Sequence, residues 1–278
     1  LSDYGINGQL YGTPGNGTSV VLSLNNIANP QLTWETTEQL NVGVDFETKN
    51  NRISGSVDMY DKTTKDLLQN SPIPTSSGFA NILINRGSIS NKGLEIALNI
   101  AAVSTDDFEI NIGGNIALNK TKIESLGIPL KDFYIDGVAD QRSFYLGNQI
   151  SRGQYFRTPA NVFIEGEESG LFYGLETDGI YQTEDTDLVE GAVPGDVRII
   201  DQNDDEVIDI LDRTFIGNPN PDFVYGFNLN FKLKGFTANF LFNGVYGNDI
   251  ANGNLIKLNN AEGSQTNISP NAYYNAWR

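Results

Sequence analysis

Two consecutive runs of alternating side chains within residues 222–247 limit the folds open to this chain. In the run Phe223–Leu233 every second residue is large and apolar, and the residues between are mostly small or polar. After a Lys234-Gly235 corner, the alternation resumes over Phe236–Tyr246. Because successive side chains of a strand point to opposite faces, this period of two predicts β-strands, and the short turn predicts a hairpin. Each strand is about ten residues long, which is enough to cross a bilayer when tilted.

The two faces of this hairpin favour a membrane barrel. One face is almost entirely large and often aromatic, whereas the other is small and rich in amides. A soluble sandwich turns its apolar face inward and places Lys, Glu and Thr outside. A transmembrane barrel turns its apolar face to lipid and a polar face to a wet lumen. The hairpin therefore predicts an all-β fold, an antiparallel transmembrane β-barrel.

Two further hairpins of the same kind precede it, over residues 40–59 and 94–118. All three hairpins turn tightly at one end, and long connections follow the other end. The tight turns are residues 47–51, 103–107 and 234–235, and the long connections are residues 61–91, 120–221 and those after 247. Long connections without structure are rare in compact soluble domains, but short periplasmic turns and long extracellular loops are typical of outer-membrane barrels.

The segment 120–221 is not of low complexity, and we interpret it as a folded extracellular excursion. It is acidic and holds three Gly-bounded, β-prone pieces: Asn161–Ile164, Leu171–Leu175 and Val197–Ile200. Whether it includes a barrel strand stays open at this point. Residues 1–30 predict a loop with a strand end at Ser19–Leu24. We interpret residues 1–278 as a fragment of one barrel domain, since there is no signal peptide at Leu1 and Trp277-Arg278 closes nothing.

The parity of each residue assigns it to a face. Four aromatic residues near the outer rim share the lipid parity and predict an interfacial girdle, the alternative being ordinary strand aromatics: Trp34, Phe223, Tyr225 and Tyr246. Tyr60 has lumenal parity. Eight polar residues are predicted to line the wet interior rather than to bind cargo: Asn41, Asp45, Asp58, Glu95, Asn115, Asn228, Asn230 and Asn239.

Composition excludes several functions. The net charge of −17 argues against nucleic acid, whose phosphates need a basic surface. The chain has no Cys and no His, so it holds no disulfide, no His-zinc site and no Ser-His-Asp triad. Paired acids at Glu165/Glu167/Glu168 and Asp185/Asp187 resemble a glycosidase pair only in spacing, because nothing places one of them in an apolar pocket. We therefore expect no enzyme activity.

One stretch has the spacing of a metal site. An EF-hand-type calcium loop takes oxygen ligands from positions 1, 3, 5, 7, 9 and 12. The matching residues are Asp201, Asn203, Asp205, Val207 through its backbone carbonyl, Asp209 and Asp212. Position 6 is Glu206 where Gly normally makes the sharp turn, and the side chain of Asp212 is shorter than the usual Glu. The stretch predicts a structural calcium loop, and an acidic turn that binds no ion remains the alternative.

Several distinctive strings occur in order from Asn29 to Gly247. They are Asn29-Pro30 with Leu32–Thr37 (LTWETT), Lys62–Leu68 (KTTKDLL), Pro72–Pro74, Ser77–Phe79, Asn85–Gly87, Asn91–Glu95 (NKGLE), Asp178–Gln182 (DGIYQ), Gly195–Val197, the 201–212 loop and Gly217–Pro221. Together these strings resemble the SusC/RagA family of TonB-linked outer-membrane proteins. Glu206 departs from the family pattern, in which Gly is usual.

The resemblance implies more than the residues themselves indicate. Family members are plugged barrels of about 22 strands that import glycan oligomers or peptides with energy from TonB. A SusD-like surface lipoprotein covers the barrel and captures the substrate. The resemblance places this chain in an arc of the barrel wall in the outer membrane of a Bacteroidetes-type cell, with the N-terminal plug and the C-terminal closing strands outside it. The rival interpretation is a secreted all-β carbohydrate-binding protein with a calcium-stabilised loop, whose apolar faces pack against a second sheet.

Overall fold

The structure is a computed structural model that describes residues 6–12, 18–24, 27–147, 159–189, 191–259 and 267–275. Most elements are strands. In chain order they are β1 Ile6–Gly12, β2 Thr18–Leu24, β3 Thr36–Glu47, β4 Ile53–Lys65, β5 Leu68–Pro72, β6 Asn81–Asn85, β7 Ser88–Ser104, β8 Phe108–Ser125, β9 Lys131–Ile135, β10 Val138–Arg142, β11 Phe144–Leu146, β12 Asn161–Ile164, β13 Leu171–Leu175, β14 Thr177–Ile180, β15 Val197–Ile199, β16 Arg213–Gly217, β17 Phe223–Leu233 and β18 Phe236–Tyr246. Two short helices follow, α1 Gly253–Asn259 and α2 Pro270–Tyr274, and no helix among the described residues is long and apolar enough to cross a membrane.

Six strands form one continuous antiparallel sheet in the order β18-β17-β8-β7-β4-β3. The three predicted hairpins are confirmed as β3–β4, β7–β8 and β17–β18. β8 pairs directly with β17, although almost a hundred residues separate them in sequence. The sheet is an open arc, and every strand apart from the two at the edges pairs with a neighbour on each side over most of its length.

The register of the sheet places like residues in rows across it. One row passes through Val44, Val57, Ile96, Ile116 and Tyr225. The next row on the same face contains Phe46, Leu98, Phe227 and Phe242, and the ring of Phe46 covers Gly55 in that row. This face is apolar in every row from Met59 down to Phe231. The pairing therefore assembles the separate amphipathic strands into one apolar band.

Nothing in the described part of the chain covers this band. The side chain of Val42 is 61% exposed and that of Phe242 is 58% exposed. The rival sandwich interpretation requires a second sheet packed on this face, and the described residues provide none. The apolar band is therefore a face for lipid, as the strand pattern predicts.

Aromatic rings gather at both ends of the band on β17 and β18. At the end with long connections, Phe223 stacks on Tyr246 with ring centroids 5.0 Å apart. At the end with tight turns, Phe231 contacts Phe108 at 5.5 Å and Phe236 at 6.5 Å. From Phe223 to Phe231 a strand rises about 27 Å, or about 21 Å along the normal at the tilt usual in barrels. This height matches the apolar belt of an outer-membrane barrel, with aromatic residues at both interfaces.

The connection after β4 is shorter and more regular than the long connection predicted over residues 61–91. β4 continues to Lys65 and β7 begins at Ser88, and the residues between them form a small hairpin of β5 and β6. The turn of that hairpin is a 3-10 turn at Thr75–Ser77. Pro72 and Pro74 suggested irregular chain, but Pro72 lies at the end of an exposed two-stranded hairpin, where Pro is tolerated.

Asn85 links the segment around Trp34 to the segment Lys62–Leu68 by hydrogen bonds. Its amide oxygen accepts from the Thr33 N–H at 2.7 Å, and its Nδ2 donates to the carbonyls of Thr33 at 2.9 Å and Asp66 at 2.8 Å. Glu35 accepts from the Leu68 N–H at 2.7 Å. These bonds join the entry to β3, the exit of β4 and the end of β6 at one corner.

The excursion spans residues 126–222, because β8 continues to Ser125 and β17 follows immediately. It contains a four-stranded sheet in the order β11-β12-β13-β16 and the hairpins β9–β10 and β14–β15. Its core consists of Phe133, Val162, Ile164, Leu171 and Tyr173, all buried. Among the described residues the excursion contributes no strand to the six-stranded sheet.

The expectation of a loop over residues 1–30 is wrong in part. β1 and β2 pair along their whole length, from Ile6 opposite Leu24 to Gly12 opposite Thr18. The Gly- and Asn-rich composition concealed β1, whereas β2 coincides with the strand end predicted at Ser19–Leu24. Leu1 and Trp277-Arg278, on which the fragment interpretation partly depends, lie outside the described residues.

The two faces of β7 give a direct test of the lipid assignment. Leu98 lies on the apolar band and Asn99 on the opposite face. We expect Leu98→Arg to lower the free energy of unfolding in lipid vesicles by about 2–4 kcal/mol, because a charge near mid-membrane is desolvated. Asn99→Arg is the matched control, and we expect a change of less than about 1 kcal/mol. Urea titration of the full-length protein in vesicles measures both, and an equal cost for the two variants contradicts the assignment.

The Asn85 junction gives a second test. Asn85→Ala removes three hydrogen bonds at an exposed corner and should cost about 1 kcal/mol. The local effect should be larger than the global one, so limited proteolysis should cut residues 66–87 faster. Asn81→Ala, at the other end of β6, is the control. Equal cleavage rates in both variants would show that Asn85 does not hold this corner.

Candidate lumenal wall and acidic loop

The face opposite the apolar band is mostly polar, although Val224, Leu241 and Val245 also lie on it. The pairing brings together all eight residues predicted to line the interior. Asp58 lies opposite Glu95 and Gly43, and Asn115 lies opposite Ala97 and Gly226. Asn230 lies between Asn111 and Asn239 in one row. Their shared parity gives a wall of amides and carboxylates.

Tyr60 lies on this wall, as its parity predicts. Its ring covers Gly93 on the neighbouring strand, at a point where a Cβ would collide with the ring, and its hydroxyl donates to Asn119 Oδ1 at 3.1 Å. A shallow hollow of about 430 Å³ surrounds it. The hollow is lined by Gln39, Asn41, Asp58, Tyr60, Lys62, Asn91, Glu95 and Asn119. Its side chains offer donors and acceptors but no buried acid or nucleophile, so the hollow is suited to polar contact rather than to chemistry.

The acidic loop winds around the carboxylate of Asp201. Oδ1 of Asp201 accepts from the N–H groups of Asn203 at 3.2 Å and Asp205 at 3.3 Å, and Oδ2 accepts from Glu206 at 2.7 Å. Burial acts to raise the pKa of Asp201, but these backbone donors together outweigh it and lower the pKa below its usual value. Asp205 Oδ1 in turn accepts from the Val207 N–H at 2.9 Å. The first half of the loop is a chain of side-chain-to-backbone turns.

Glu206 makes the bend that Gly usually makes. Its φ is 65°, and that of Asp204 is 57°. A residue with a Cβ pays roughly 1–2 kcal/mol in this left-handed region. The backbone therefore takes a left-handed turn at position 6, where a calcium loop usually has Gly.

Asp212 has a role that the spacing did not indicate. It is fully buried, and its carboxylate accepts from the N–H of Gln202 at 2.9 Å and of Asp209 at 2.7 Å. With Asp209, which accepts from Leu211 at 2.7 Å, it forms a capping box on the 3-10 turn Ile210–Asp212. The Asp-x-x-Asp spacing is the signal that would have found this cap. Asp212 thereby closes the loop on itself.

The six predicted ligand positions therefore lie in one loop but do not converge on a point. Across the described ranges, no three His, Cys, Asp or Glu side chains come close enough together to hold a metal ion. The side chain of Val207 is exposed. The donor chemistry and the backbone path fit calcium, whereas the carboxylates of Asp201 and Asp212 point at backbone N–H groups.

An ion-pair cluster, which the sequence did not single out, fixes the β14–β15 hairpin. The Arg198 guanidinium pairs with Asp185 and lies 3.9 Å from Asp187 and 4.9 Å from the ring centroid of Tyr181. The Gln182 N–H and Arg198 lower the pKa of Asp185, against the effect of burial. Tyr181 is buried, so the Asp178–Gln182 string serves the packing of the excursion. The paired acids Asp185 and Asp187 thus have a structural partner.

Burial affects the ionisation of one tyrosine in the core of the excursion. Tyr173 stacks on Phe133 at 4.9 Å and donates its hydroxyl to the Tyr134 carbonyl. Burial raises the pKa of Tyr173 to about 12, so the phenol stays protonated at every physiological pH.

Comparison with known proteins agrees with this geometry. The chain is 32% identical over 90% of its length to TonB-dependent receptor P3 of Formosa agariphila, and covers 24% of that receptor. It is 30% identical over 76% of its length to TonB-dependent receptor SusC of Bacteroides thetaiotaomicron, and covers 19% of it. A chain in the solved RagAB peptide transporter matches 99% of this chain with a TM-score of 0.70 at 24% identity, and 28% of that chain is covered.

These relatives are much longer than the present sequence, which spans about a quarter of the first of them. The family model for the TonB-dependent receptor-like β-barrel matches residues 5–187. Family, strand pairing and uncovered apolar band agree that the six-stranded arc is barrel wall in the outer membrane. The chain belongs to the TonB-dependent receptor-like β-barrel family.

Proposed function

We propose that the protein containing this chain imports oligomeric nutrients across the outer membrane, with energy from TonB and with a SusD-like surface lipoprotein as its partner. The observation that carries the proposal is the combination of a barrel wall with a folded excursion inserted between two adjacent wall strands, in a chain 30% identical to SusC. The plug and the TonB contact belong to parts of the longer receptor outside these residues. The mechanism is binding and gated passage.

Passage fits the chemistry of the lumenal wall. Amides and hydroxyls such as those of Asn41, Asn119 and Tyr60 exchange hydrogen bonds with a moving polar solute at little cost, because water offers equivalent partners. Catalysis would need an acid or base with a perturbed environment, and the paired acids of the excursion have either structural partners or open surroundings. The relatives are receptors rather than enzymes, which favours transport further.

The cargo we propose is a sugar oligomer or a peptide that is not strongly anionic. Among the similar proteins, one is SusC and another is a peptide transporter, so both classes occur among neighbours of this fold. The net charge of −17 raises the local energy of an approaching polyanion. The partner and the cargo are expected to contact residues 66–87 and the excursion, which lie at the end of the wall with long connections.

The strand order allows a sharp test of the partner. Ala117 pairs with Val224, so Leu118 and Phe223 lie side by side. An Asn-Gly turn can therefore replace residues 119–222, which are the excursion and the end of β8 that extends past β17, without altering the register of the remaining β8–β17 pairs. We expect the full-length receptor to co-purify from detergent-solubilised outer membranes with a surface lipoprotein in near-equal amount. The excised variant should still insert and show heat-modifiable migration, but should lose the lipoprotein.

Each result has a distinct meaning for the importer proposal. A full-length receptor with no lipoprotein contradicts the partner. If the excised variant retains the lipoprotein, the docking surface lies outside the excursion, and the importer proposal still stands.

We further propose that the 201–212 loop binds one calcium ion with a structural role. Support comes from the oxygen donors of Asp201, Asn203, Asp205 and Asp209, and from a backbone that already bends at Asp204 and Glu206. A carboxylate has lone pairs left after accepting an N–H, so Asp201 can hold both. Binding would require the carboxylate of Asp205 to turn inward. The ion would rigidify the loop between β15 and β16.

Two variants at neighbouring aspartates test calcium binding. Asp205→Asn removes a charge at position 5, whereas Asp204→Asn removes the same charge at its exposed, non-ligand neighbour. We expect calcium to raise the melting temperature of the full-length receptor relative to chelator. Asp205→Asn should weaken calcium binding about tenfold, and Asp204→Asn should leave it nearly unchanged. A parent that melts identically with calcium and with chelator contradicts the proposal.

A further inference from the structure

The hollow around Tyr60 lies on the lumenal face, at the end of the wall from which the long connections leave. It extends from the row of Asp58 and Glu95 to the row of Lys62. On the opposite face of the sheet, the last row of the apolar band passes through Met59, between these two rows. The hollow is therefore at the outer mouth of the lumen, where a solute that enters from outside passes the wall.

A chain of hydrogen bonds fixes one side of the hollow. The Tyr60 hydroxyl donates to Asn119 Oδ1 at 3.1 Å, and Asn119 Nδ2 donates to Thr121 Oγ1 at 3.3 Å. Thr121 Oγ1 in turn donates to Asn91 Oδ1 at 2.7 Å, which leaves the N–H groups of the Asn91 amide available. The Tyr60 ring lies against Gly93, where no Cβ interferes. The ring and the amides thus hold their positions before a ligand arrives, which lowers the entropic cost of binding.

The other side of the hollow has polar groups without partners. Among the described residues, the side chains of Asp58, Glu95, Lys62 and Gln39 form no hydrogen bond and no ion pair. Asp58 is opposite Glu95 on the paired strand, which is unfavourable for two like charges. The Asp58 carboxylate lies over Gly43, on the side away from Glu95, so the space between the two acids is open. These groups are free to bond to a solute.

The mixture of donors and acceptors indicates the chemistry of that solute. A carboxylate only accepts hydrogen bonds, and an ammonium group only donates them. A hydroxyl group does both, and a sugar carries one on most of its carbons, so a single sugar ring can satisfy Asp58, Glu95 and Lys62 together. One face of a pyranose also presents C–H groups, which pack on an aromatic face such as that of Tyr60. The volume of about 430 Å³ is within the usual range for small-ligand sites.

Other solutes match the hollow less well. A peptide backbone offers one N–H and one C=O per residue, and apolar side chains of a peptide need apolar pockets. Among the described residues that line the hollow, every side chain is polar, and the ring face of Tyr60 is its aromatic surface. A small cation meets the ammonium group of Lys62, and a small anion meets the carboxylates of Asp58 and Glu95. A neutral polyol avoids both repulsions.

We propose that this hollow is a sugar subsite on the import path. The ring face of Tyr60 packs against one pyranose of a neutral oligosaccharide, and Asp58, Glu95 and Lys62 exchange hydrogen bonds with its hydroxyl groups. The inference rests on the proposed import function and narrows its cargo from sugar oligomers or peptides to sugar oligomers. It also gives Asp58 and Glu95 a role in cargo contact, whereas their parity predicts only that they line the wet interior.

Capture from two mixtures tests the class of cargo. The full-length receptor in lipid nanodiscs is incubated with short oligosaccharides from a digest of mixed neutral polysaccharides, and separately with a tryptic digest of casein. Mass spectrometry then identifies and quantifies the molecules that are retained. We expect oligosaccharides to be retained in preference to peptides. Retention of peptides alone overturns the sugar subsite and leaves the importer proposal standing, whereas retention of neither class contradicts both.

Two substitutions in the hollow test the site itself. Tyr60→Ala removes the ring face, and Glu95→Gln replaces a charged acceptor with an amide of similar size. We expect each to weaken retention of the captured oligosaccharide about tenfold, because each removes one direct contact. Tyr60→Phe keeps the ring and loses only the hydroxyl, so it should weaken retention less than Tyr60→Ala does. Heat-modifiable migration shows that each variant is folded.

Glu47 provides the matched control for Glu95. Its side chain has the same lumenal parity, but it lies two lumenal rows closer to the tight turns and outside the hollow. Glu47→Gln removes the same charge and should leave retention within about twofold of the parent, because the distance and the solvent screen it from the subsite. If Tyr60→Ala and Glu95→Gln retain the oligosaccharide as the parent does, or if Glu47→Gln weakens retention as much as Glu95→Gln, the hollow is not the subsite, and the importer proposal is unaffected.

Discussion

Backbone hydrogen bonding in a medium without water is the constraint on which this structure depends. A strand that crosses lipid has to pair each N–H and C=O with a neighbour, since an unpaired group there costs several kcal/mol. The six strands meet this requirement by pairing β8 with β17 across the whole excursion. Once that pairing is fixed, the face of the sheet on which each side chain lies is fixed too. The apolar band, the aromatic ends and the amide-lined wall then follow from the alternation of residue types along each strand.

Apolar side chains have different surroundings in the wall and in the excursion. The wall keeps large residues such as Val42 and Phe242 exposed, because lipid rather than protein is their solvent. The excursion meets water and has to bury its own apolar groups, and it does so around Val162, Ile164 and Tyr173. This contrast explains why the buried apolar cluster of the described residues lies in the connection and not in the main sheet. It also explains why ion pairs such as Arg198–Asp185 concentrate outside the band.

Pattern alone predicted the wall well and the connections poorly. The three hairpins, their tight turns and the lumenal parity of Asn41 to Asn239 all follow from a period of two, which is a local property. The β5–β6 hairpin and β1 were missed because β1 (INGQLYG) and β5 (LQNSP) are short and consist largely of Gly, Asn, Gln, Ser and Pro, which carry a weak β signal. In the acidic loop, spacing identified the right residues for a turn. It did not reveal that Asp212 closes that turn through backbone N–H groups, because a liganding carboxylate and a capping one have the same spacing.

The sequence by itself determined which residues face lipid and which face the lumen, since a strand has only two faces and the residue types alternate between them. It also determined that long connections leave from one end only. Only the tertiary structure decided which strands are neighbours, because pairing over almost a hundred residues leaves no local signal. That decision brings Lys92 opposite Lys120, places Tyr60 over Gly93 and packs the excursion beside the rim of the wall. These contacts arise between strands, and the order of strands in a sheet is a long-range property that no single strand contains.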